Sequence, residues 1–188
     1  MTIAIIPSRY GSSRLAGKPL VNIAGKSMIQ RVYEQAQKSS VVTQTWVATD
    51  DQRIVQAVQA FGGNAVMTSD TCRSGTDRVA QTADILNLGP DEIIINIQGD
   101  QPEFNPRSLD HLIAPFGRDP AVSMSTLAYK IQDLREITDP KDVKVTFNTR
   151  GFALYFSRAQ IPFPRDKDTR ADFYKHLGFY AYTKSFLD

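Results

Sequence analysis

Short apolar runs and longer amphipathic stretches alternate along the first two thirds of the chain. Ile3-Ala4-Ile5-Ile6 reads as a buried strand that stops at Pro7, which has no N–H for a ladder. Ser27 stands three residues ahead of Gln30, a capping-box pattern. Met28, Ile29, Val32, Tyr33 and Ala36 then recur at helical spacing as far as Ser39. Thr45-Trp46-Val47-Ala48-Thr49 predicts the next strand, ending in Asp50-Asp51. Asp51 can cap a helix whose apolar side is Ile54, Val55, Val58 and Phe61, closed by Gly62-Gly63. Ala65-Val66-Met67 predicts a short strand, residues 76–88 a third helix, and Ile93 to Ile97 the most strand-like run of all. That run ends in Gln98-Gly99-Asp100, and residues 106–116 predict another helix.

This order predicts βαβ units, hence an α/β fold with a mostly parallel central sheet and helices on both faces. In such sheets ligands bind beyond the carboxyl ends of the strands. The polar clusters at 9–18, 50–51, 74–78 and 98–100 each follow a predicted strand, so parallel strands bring all four to one crevice. From about Ala121 the pattern changes. Residues 122–131, 143–149 and 152–157 read as strands without long helices between them, with a hairpin turn at Thr149-Arg150-Gly151. A polar loop at 165–172 precedes a strand at 176–183, and a helix begins at Ser185. The expected organisation is a single α/β domain over 1–188. Residues 1–120 form its nucleotide-binding half, and 121–188 an antiparallel or mixed section that receives a second substrate.

The loop after the first strand sharpens this picture. It holds Gly11 and Gly17, Ser8, Ser12 and Ser13, and the cations Arg9, Arg14 and Lys18. Residues 1–33 carry five basic residues and no acidic one. Small residues, exposed amides and unneutralised charge suit a polyanion such as a triphosphate. A Walker A loop does not fit. Five residues, not four, separate Gly11 from Gly17, and Pro19 stands where the magnesium-binding hydroxyl is required. The dinucleotide-binding pattern G-x-G-x-x-G is absent too.

Composition adds boundaries. With 188 residues, 41% hydrophobic and 22% charged, the chain reads as an ordinary globular protein. A net charge of +2 is too small to argue for nucleic acid, so the early basic residues are a local feature. Cys72 is the only cysteine, which excludes an intrachain disulfide and a cysteine-rich metal site. The N-terminal apolar run lacks a basic flank and a cleavage signal, and no apolar stretch nears the ~18 residues of a membrane span. The expectation is a cytoplasmic protein without nucleic-acid or membrane partners.

Each cluster admits a chemical and a structural reading. Asp100, at the end of a central strand beside Gly99, can bind Mg2+ carried in by phosphates, or can cap the turn into Pro102. Gln98 can read a base edge or sugar hydroxyls, or pair with loop backbone. Thr76 is expected as a helix N-cap, and Arg78 can fork onto a carboxylate or sit in a surface salt bridge. His176, Tyr180 and Tyr182 alternate along a strand, either as sugar contacts or as its core face. No nucleophile–base pair emerges. Basic side chains with one carboxylate fit phosphoryl or nucleotidyl transfer.

Taken together and in order, IPSRYGSSRLAGKPL, ATDD, SGTDR, NIQGDQP, ALYFSR and KHLGFYAY resemble the 3-deoxy-manno-octulosonate (KDO) cytidylyltransferases, or CMP-KDO synthetases, of lipopolysaccharide synthesis. The resemblance spans residues 3–186. It implies a nucleotide-diphospho-sugar-transferase-like fold, a homodimer, and the Mg2+-dependent reaction of CTP with KDO to give CMP-KDO and pyrophosphate. By motif, Arg9, Ser12, Ser13, Arg14 and Lys18 would bind the CTP phosphates and nucleotide, with Ser74 and Gln98 completing the nucleotide set. Asp100 would hold Mg2+; Arg78, His176 and Tyr180 would contact the sugar acid. Lys18, Arg14 and Asp100 would carry the catalysis, with no covalent enzyme intermediate.

Two departures bear on this. Many members read QGDEP where this chain has Gln101, and QGDQP also occurs in enzymes that activate 8-amino-KDO. The family continues with a dimerisation helix and a strand–loop bearing a second Mg2+-binding aspartate, which these 188 residues do not contain. The resemblance therefore implies either a fragment or a protein lacking part of the site. It leaves 8-amino-KDO or another sugar acid as alternative acceptor, and an inactive nucleotide-binding module as the alternative from another class.

Overall fold

The computed structural model describes residues 1–11, 15–166 and 171–188. Strand β1 (Thr2–Ser8) runs through Pro7 instead of stopping there, since Pro7 and Ser8 still pair in parallel with Ala48 and Thr49. The strand on its other side pairs only as far as Ile5, so the missing N–H falls beyond that ladder. A small hairpin, β2 (Asn22–Ile23) and β3 (Lys26–Ser27), then feeds α1 (Met28–Gln37). Ser27 caps α1 by accepting from the Gln30 N–H at 3.3 Å.

β4 (Gln44–Thr49) leads into α2 (Gln52–Ala60), which Asp51 caps by accepting from the Arg53 N–H at 2.9 Å. Gly62, at φ 79°, turns the chain into β5 (Asn64–Met67). Helix α3 (Gly75–Ile85) starts one residue earlier than expected, because Ser74 rather than Thr76 is its N-cap. Ser74 accepts from the Asp77 N–H while Asp77 accepts from the Ser74 N–H, and this reciprocal box outcompetes a cap two residues later. Then follow β6 (Ile93–Asn96), α4 (Ser108–Arg118), β7 (Met124–Lys130) and a short α5 (Arg135–Thr138) that the apolar pattern did not announce. β8 (Lys144–Phe147), β9 (Ala153–Ser157), β10 (Tyr174–Thr183) and α6 (Lys184–Leu187) complete the order.

The chain divides into two compact units, Met1–Ser125 with Phe179–Asp188, and Thr126–Gly178. In the first, β5-β4-β1-β6 are parallel neighbours, and the end of β10 adds antiparallel to β6 with Tyr180 opposite Asn96. Ile3, Ile5, Ala48 and Ile94 bury against Val79 and Ala83 of α3. The alternate residues of β1, Ala4 and Ile6, are equally buried, with Ile29 and Val32 of α1 in the core beside them. This is a mostly parallel α/β sheet with helices on both faces. The register fixes where chemistry collects: β1, β4 and β6 all end at one edge.

In the second unit β8 and β9 form an antiparallel hairpin, and Lys175 at the start of β10 pairs with Lys144. The turn between them is built by Asn148, whose side-chain oxygen accepts from the N–H groups of Arg150 and Phe152, with Gly151 at φ 85°. Lys144 is fully buried, its ammonium donating to the carbonyls of Asp139 and Asp142. No helix among the described residues is long and apolar enough to cross a membrane.

Candidate active site

The loop leaving β1 closes on itself, with the Gly17 N–H donating to the Tyr10 carbonyl at 2.9 Å. Gly17 sits at φ 71°, in the left-handed region that glycine occupies without strain, and a single 3-10 turn over Lys18–Leu20 follows. That turn aims Lys18 at the end of β6, where its ammonium donates to Asp100 Oδ2 at 2.6 Å. The two strand ends approach closely. A Cβ on Gly99 would lie 3.3 Å from the Pro7 carbonyl oxygen and 3.6 Å from the Ile6 side chain. Glycine at 99 is therefore what lets Gln98 and Asp100 flank the end of β1.

The end of β4 supplies two carboxylates with different duties. Asp50 accepts from the Arg78 guanidinium at 2.7 Å, and Asp51 is forked onto Arg53 at 2.9 and 2.6 Å. Arg78 is 4% exposed although it lies on a helix, because α3 turns it inward beside Val79. Its other terminal nitrogen donates to the Thr68 hydroxyl. The carboxylate that Arg78 meets is thus an internal one, reached through a single nitrogen, with side chains 5% and 22% exposed. A bare guanidinium there would be costly, so Asp50 is what allows Arg78 to line a cavity.

That cavity, about 210 Å³, lies between Pro7, Ser8 and Arg9 of the β1 end, Gln98 of the β6 end, and the segment Cys72, Arg73, Ser74, Gly75 with Arg78. Two features mark it as a place for an anionic, hydrogen-bonding ligand. Arg9 and Arg73 line it and make no direct ion pair among the described residues, although Asp77 feels the Arg73 charge. Ser8 is 6% exposed, yet its hydroxyl has no hydrogen-bond partner among them. A buried hydroxyl without a partner costs stability unless a ligand or water meets it. Ser74 contributes less freely than expected. Its hydroxyl donates to Asp77 Oδ1 and accepts from the Asp77 N–H. These Ser74 bonds, with those from neighbouring N–H groups, hold the Asp77 carboxyl below its ordinary pKa.

Arg9, Lys18, Ser74, Arg78, Gln98 and Asp100 thus gather at the carboxyl edge of the parallel strands, while Ser12, Ser13 and Arg14 lie outside the described residues. Tyr180 is also in the first unit, stacked on Tyr182 with ring centroids 6.1 Å apart, and burial raises both hydroxyl pKa values. His176 belongs to the second unit, where its Nε2 meets the Thr126 hydroxyl at 2.9 Å and its ring lies edge-on to Phe156. Burial pushes its pKa down. Ser8 counts among the loop serines that suit a polyanion but is given no contact of its own by the sequence, and neither Cys72 nor Arg73 is singled out there. The signal for the last two was their place directly before a helix cap.

No group of three or more His, Cys, Asp or Glu among the described residues could hold a metal by itself. Asp100 nevertheless fits Mg2+ in one respect: it is an accessible carboxylate, 45% exposed, beside a cationic cavity suited to phosphates. Mg2+ is commonly held by one or two carboxylates together with substrate oxygens.

A family model described as Cytidylyltransferase matches residues 3–188. The 3-deoxy-manno-octulosonate cytidylyltransferase of Desulfosudis oleivorans is 61% identical over 185 residues, covering 98% of this chain and 75% of that protein. The 8-amino-3,8-dideoxy-manno-octulosonate cytidylyltransferase of Shewanella loihica is 52% identical over 97% of this chain and 75% of its own length. Among solved structures, a CMP:2-keto-3-deoxy-manno-octonic acid synthetase complexed with CTP superposes with TM-score 0.91 at 48% identity, over 99% of this chain and 75% of that one. The pattern of motifs, the fold and these relatives agree: the chain belongs to the 3-deoxy-manno-octulosonate cytidylyltransferase family of nucleotidyltransferases.

Proposed function

We propose that this protein transfers the cytidylyl group of CTP to 3-deoxy-manno-octulosonate, releasing pyrophosphate and forming CMP-KDO for lipopolysaccharide synthesis. The observation that carries the reading is the cationic cavity at the carboxyl ends of β1 and β6. It occurs in a fold that matches a CTP-complexed synthetase at TM-score 0.91. The C2 hydroxyl of the sugar acid attacks the α-phosphorus of CTP, its proton is lost, and the α–β phosphoanhydride bond breaks with pyrophosphate leaving. Arg9, Arg73 and Lys18, with Ser12, Ser13 and Arg14 of the same loop, bind and orient the triphosphate, and their charge offsets that of the departing pyrophosphate. Ser8 donates its hydroxyl proton to a ligand oxygen, Ser74 lines the nucleotide site, and Gln98 reads the nucleoside. Arg78, fixed by Asp50, presents a guanidinium edge to the sugar acid, and Tyr180 contacts its hydroxyls. Asp100 would hold Mg2+, which when bound supplies Lewis-acid charge neutralisation at the phosphates.

A cytoplasmic homodimer completes the proposal. Its support is the row Leu154-Tyr155 on β9, 67% and 62% exposed, which gives the second unit an apolar edge. A second acceptor has a specific observation in its favour. The amide oxygen of Gln101 is buried and accepts no hydrogen bond among the described residues, so it fits a ligand donor such as the 8-amino group. Turnover with CTP and Mg2+, comparing kcat/KM for KDO and 8-amino-KDO and identifying the CMP-sugar by mass, decides between them. Neither acid being converted would refute the function itself.

A further inference from the structure

Tyr10 and Gly17, on either side of residues 11–16 in the chain, are joined by one backbone bond, the Gly17 N–H donating to the Tyr10 carbonyl at 2.9 Å, which forms a neck. Two groups meet the Tyr10 side chain there. One is Gly17, where a Cβ would come within 3.1 Å of two ring carbons and the phenolic oxygen. The other is the Arg53 guanidinium, its central carbon 3.3 Å from the ring centroid. Arg53 does not line the cavity, and its side chain is 58% exposed. An arginine so exposed ordinarily samples many rotamers. This one is fixed by a two-point fork from Asp51, whose carboxylate also caps α2 and is therefore immobile itself.

We propose that Arg53 is a positioning residue for the anion-binding loop. Asp51 holds the guanidinium flat, the guanidinium clamps Tyr10, and Tyr10 fixes the neck at Gly17, next to Lys18. The inference rests on the reading of residues 8–18 as the triphosphate grip. The planar, delocalised cation suits this better than an ammonium, since it can stack on the ring and fork onto Asp51 at once. The two acids at the end of β4 thereby divide the work, Asp50 setting the cavity wall and Asp51 the loop.

The test compares wild type, Arg53→Met, Arg53→Lys, Tyr10→Leu and the Arg53→Met/Tyr10→Leu double variant. Arg53→Met is expected to raise the KM for CTP about three- to fivefold, the scale of an exposed cation–π contact. The KM for the sugar acid and the melting temperature should stay unchanged. Arg53→Lys should fall between, and the double variant should be no worse than Tyr10→Leu alone. Without any nucleotide, tryptic cleavage after Arg14 should speed up in Arg53→Met by a similar factor. An equal rise in both KM values, multiplicative effects in the double variant, or unchanged cleavage would overturn the proposal. The cleavage arm needs no CTP. A wild-type protein that fails to bind CTP thus counts against the proposed function, while cleavage still judges the clamp.

Discussion

Replacing Lys18 by methionine removes one charge while keeping most of the side chain's length. Its effects on stability and on activity should separate. The Lys18–Asp100 pair is short, 2.6 Å, but its side chains are 34% and 45% exposed. Ion pairs of that exposure contribute about 1 kcal/mol or less to folding. For a domain of this size, that is a shift of about 2–4 °C in Tm at most. If Lys18 instead donates to a triphosphate oxygen, the loss is that of a charge-assisted hydrogen bond, about 1.5–3 kcal/mol. At 1.36 kcal/mol per decade, kcat/KM for CTP falls about 10- to 150-fold. Steady-state kinetics at varied CTP, beside thermal melts of the same preparations, read both quantities. An unchanged kcat/KM would show that Lys18 does not touch the phosphates. A Tm drop far beyond the expected range would show that the pair is structural and that lost activity reports misfolding.

Alkylating Cys72 with iodoacetamide should abolish CTP binding, because Cys72 lines the cavity of about 210 Å³; CTP should protect it, and Cys72→Ser should escape. Binding that survives stoichiometric alkylation would place the nucleotide elsewhere. His176 has its pKa lowered by burial, so the unfolded chain takes up the proton first as pH falls. Its contribution is therefore present above the ordinary imidazole value of about 6.5 and lost below it, and His176→Gln should flatten the slope of Tm between about pH 7.5 and 5.5. An unaltered slope would remove His176 from the account. Burial pulls the Lys175 ammonium down, but Asp142 at 2.7 Å and Glu136 at 2.8 Å outweigh it and raise its pKa. That stabilisation is complete below the unfolded value of about 10.4 and declines as pH rises from there through the raised one. Lys175→Met leaves two facing carboxylates and should cost about 2 kcal/mol across neutral pH, read by denaturant melts. A cost independent of pH above about 10.4 would contradict this.

Where the sequence was legible, the reason was local periodicity. Ile3 to Ile6, Val47-Ala48 and Ile93 to Ile95 announce buried strands, and the helices after the first two, α1 and α2, have caps that bond to their own first turn. The boundaries that moved did so for side-chain reasons. Ser74 displaced Thr76 as cap because Asp77 could answer it, and β1 outran Pro7 because its neighbour on one side had already left. The clusters after the strands named the residues that meet but not how they pair. Lys18 and Asp100 are 82 residues apart, Arg78 and Asp50 28 apart, and no local pattern encodes which cation reaches which acid. Arg78 shows the limit best. The sequence leaves its partner open between a carboxylate and a surface salt bridge; in the structure one terminal nitrogen holds Asp50 and the other Thr68, partners that no local pattern names. Cys72 and Arg73 escaped notice because a residue just before a cap looks like any loop residue until the sheet edge brings Ser8 beside it.

The central claim is transfer of CMP to a sugar acid at the β1–β6 edge. Phosphorus NMR of the protein with CTP, Mg2+ and KDO tests it most directly, because it follows each phosphorus separately. The account predicts that CTP resonances disappear as one CMP-sugar phosphodiester and one pyrophosphate grow in equal amounts, and that omitting KDO stops the change. CTP left intact in the presence of KDO, or phosphate released without the phosphodiester, would contradict it.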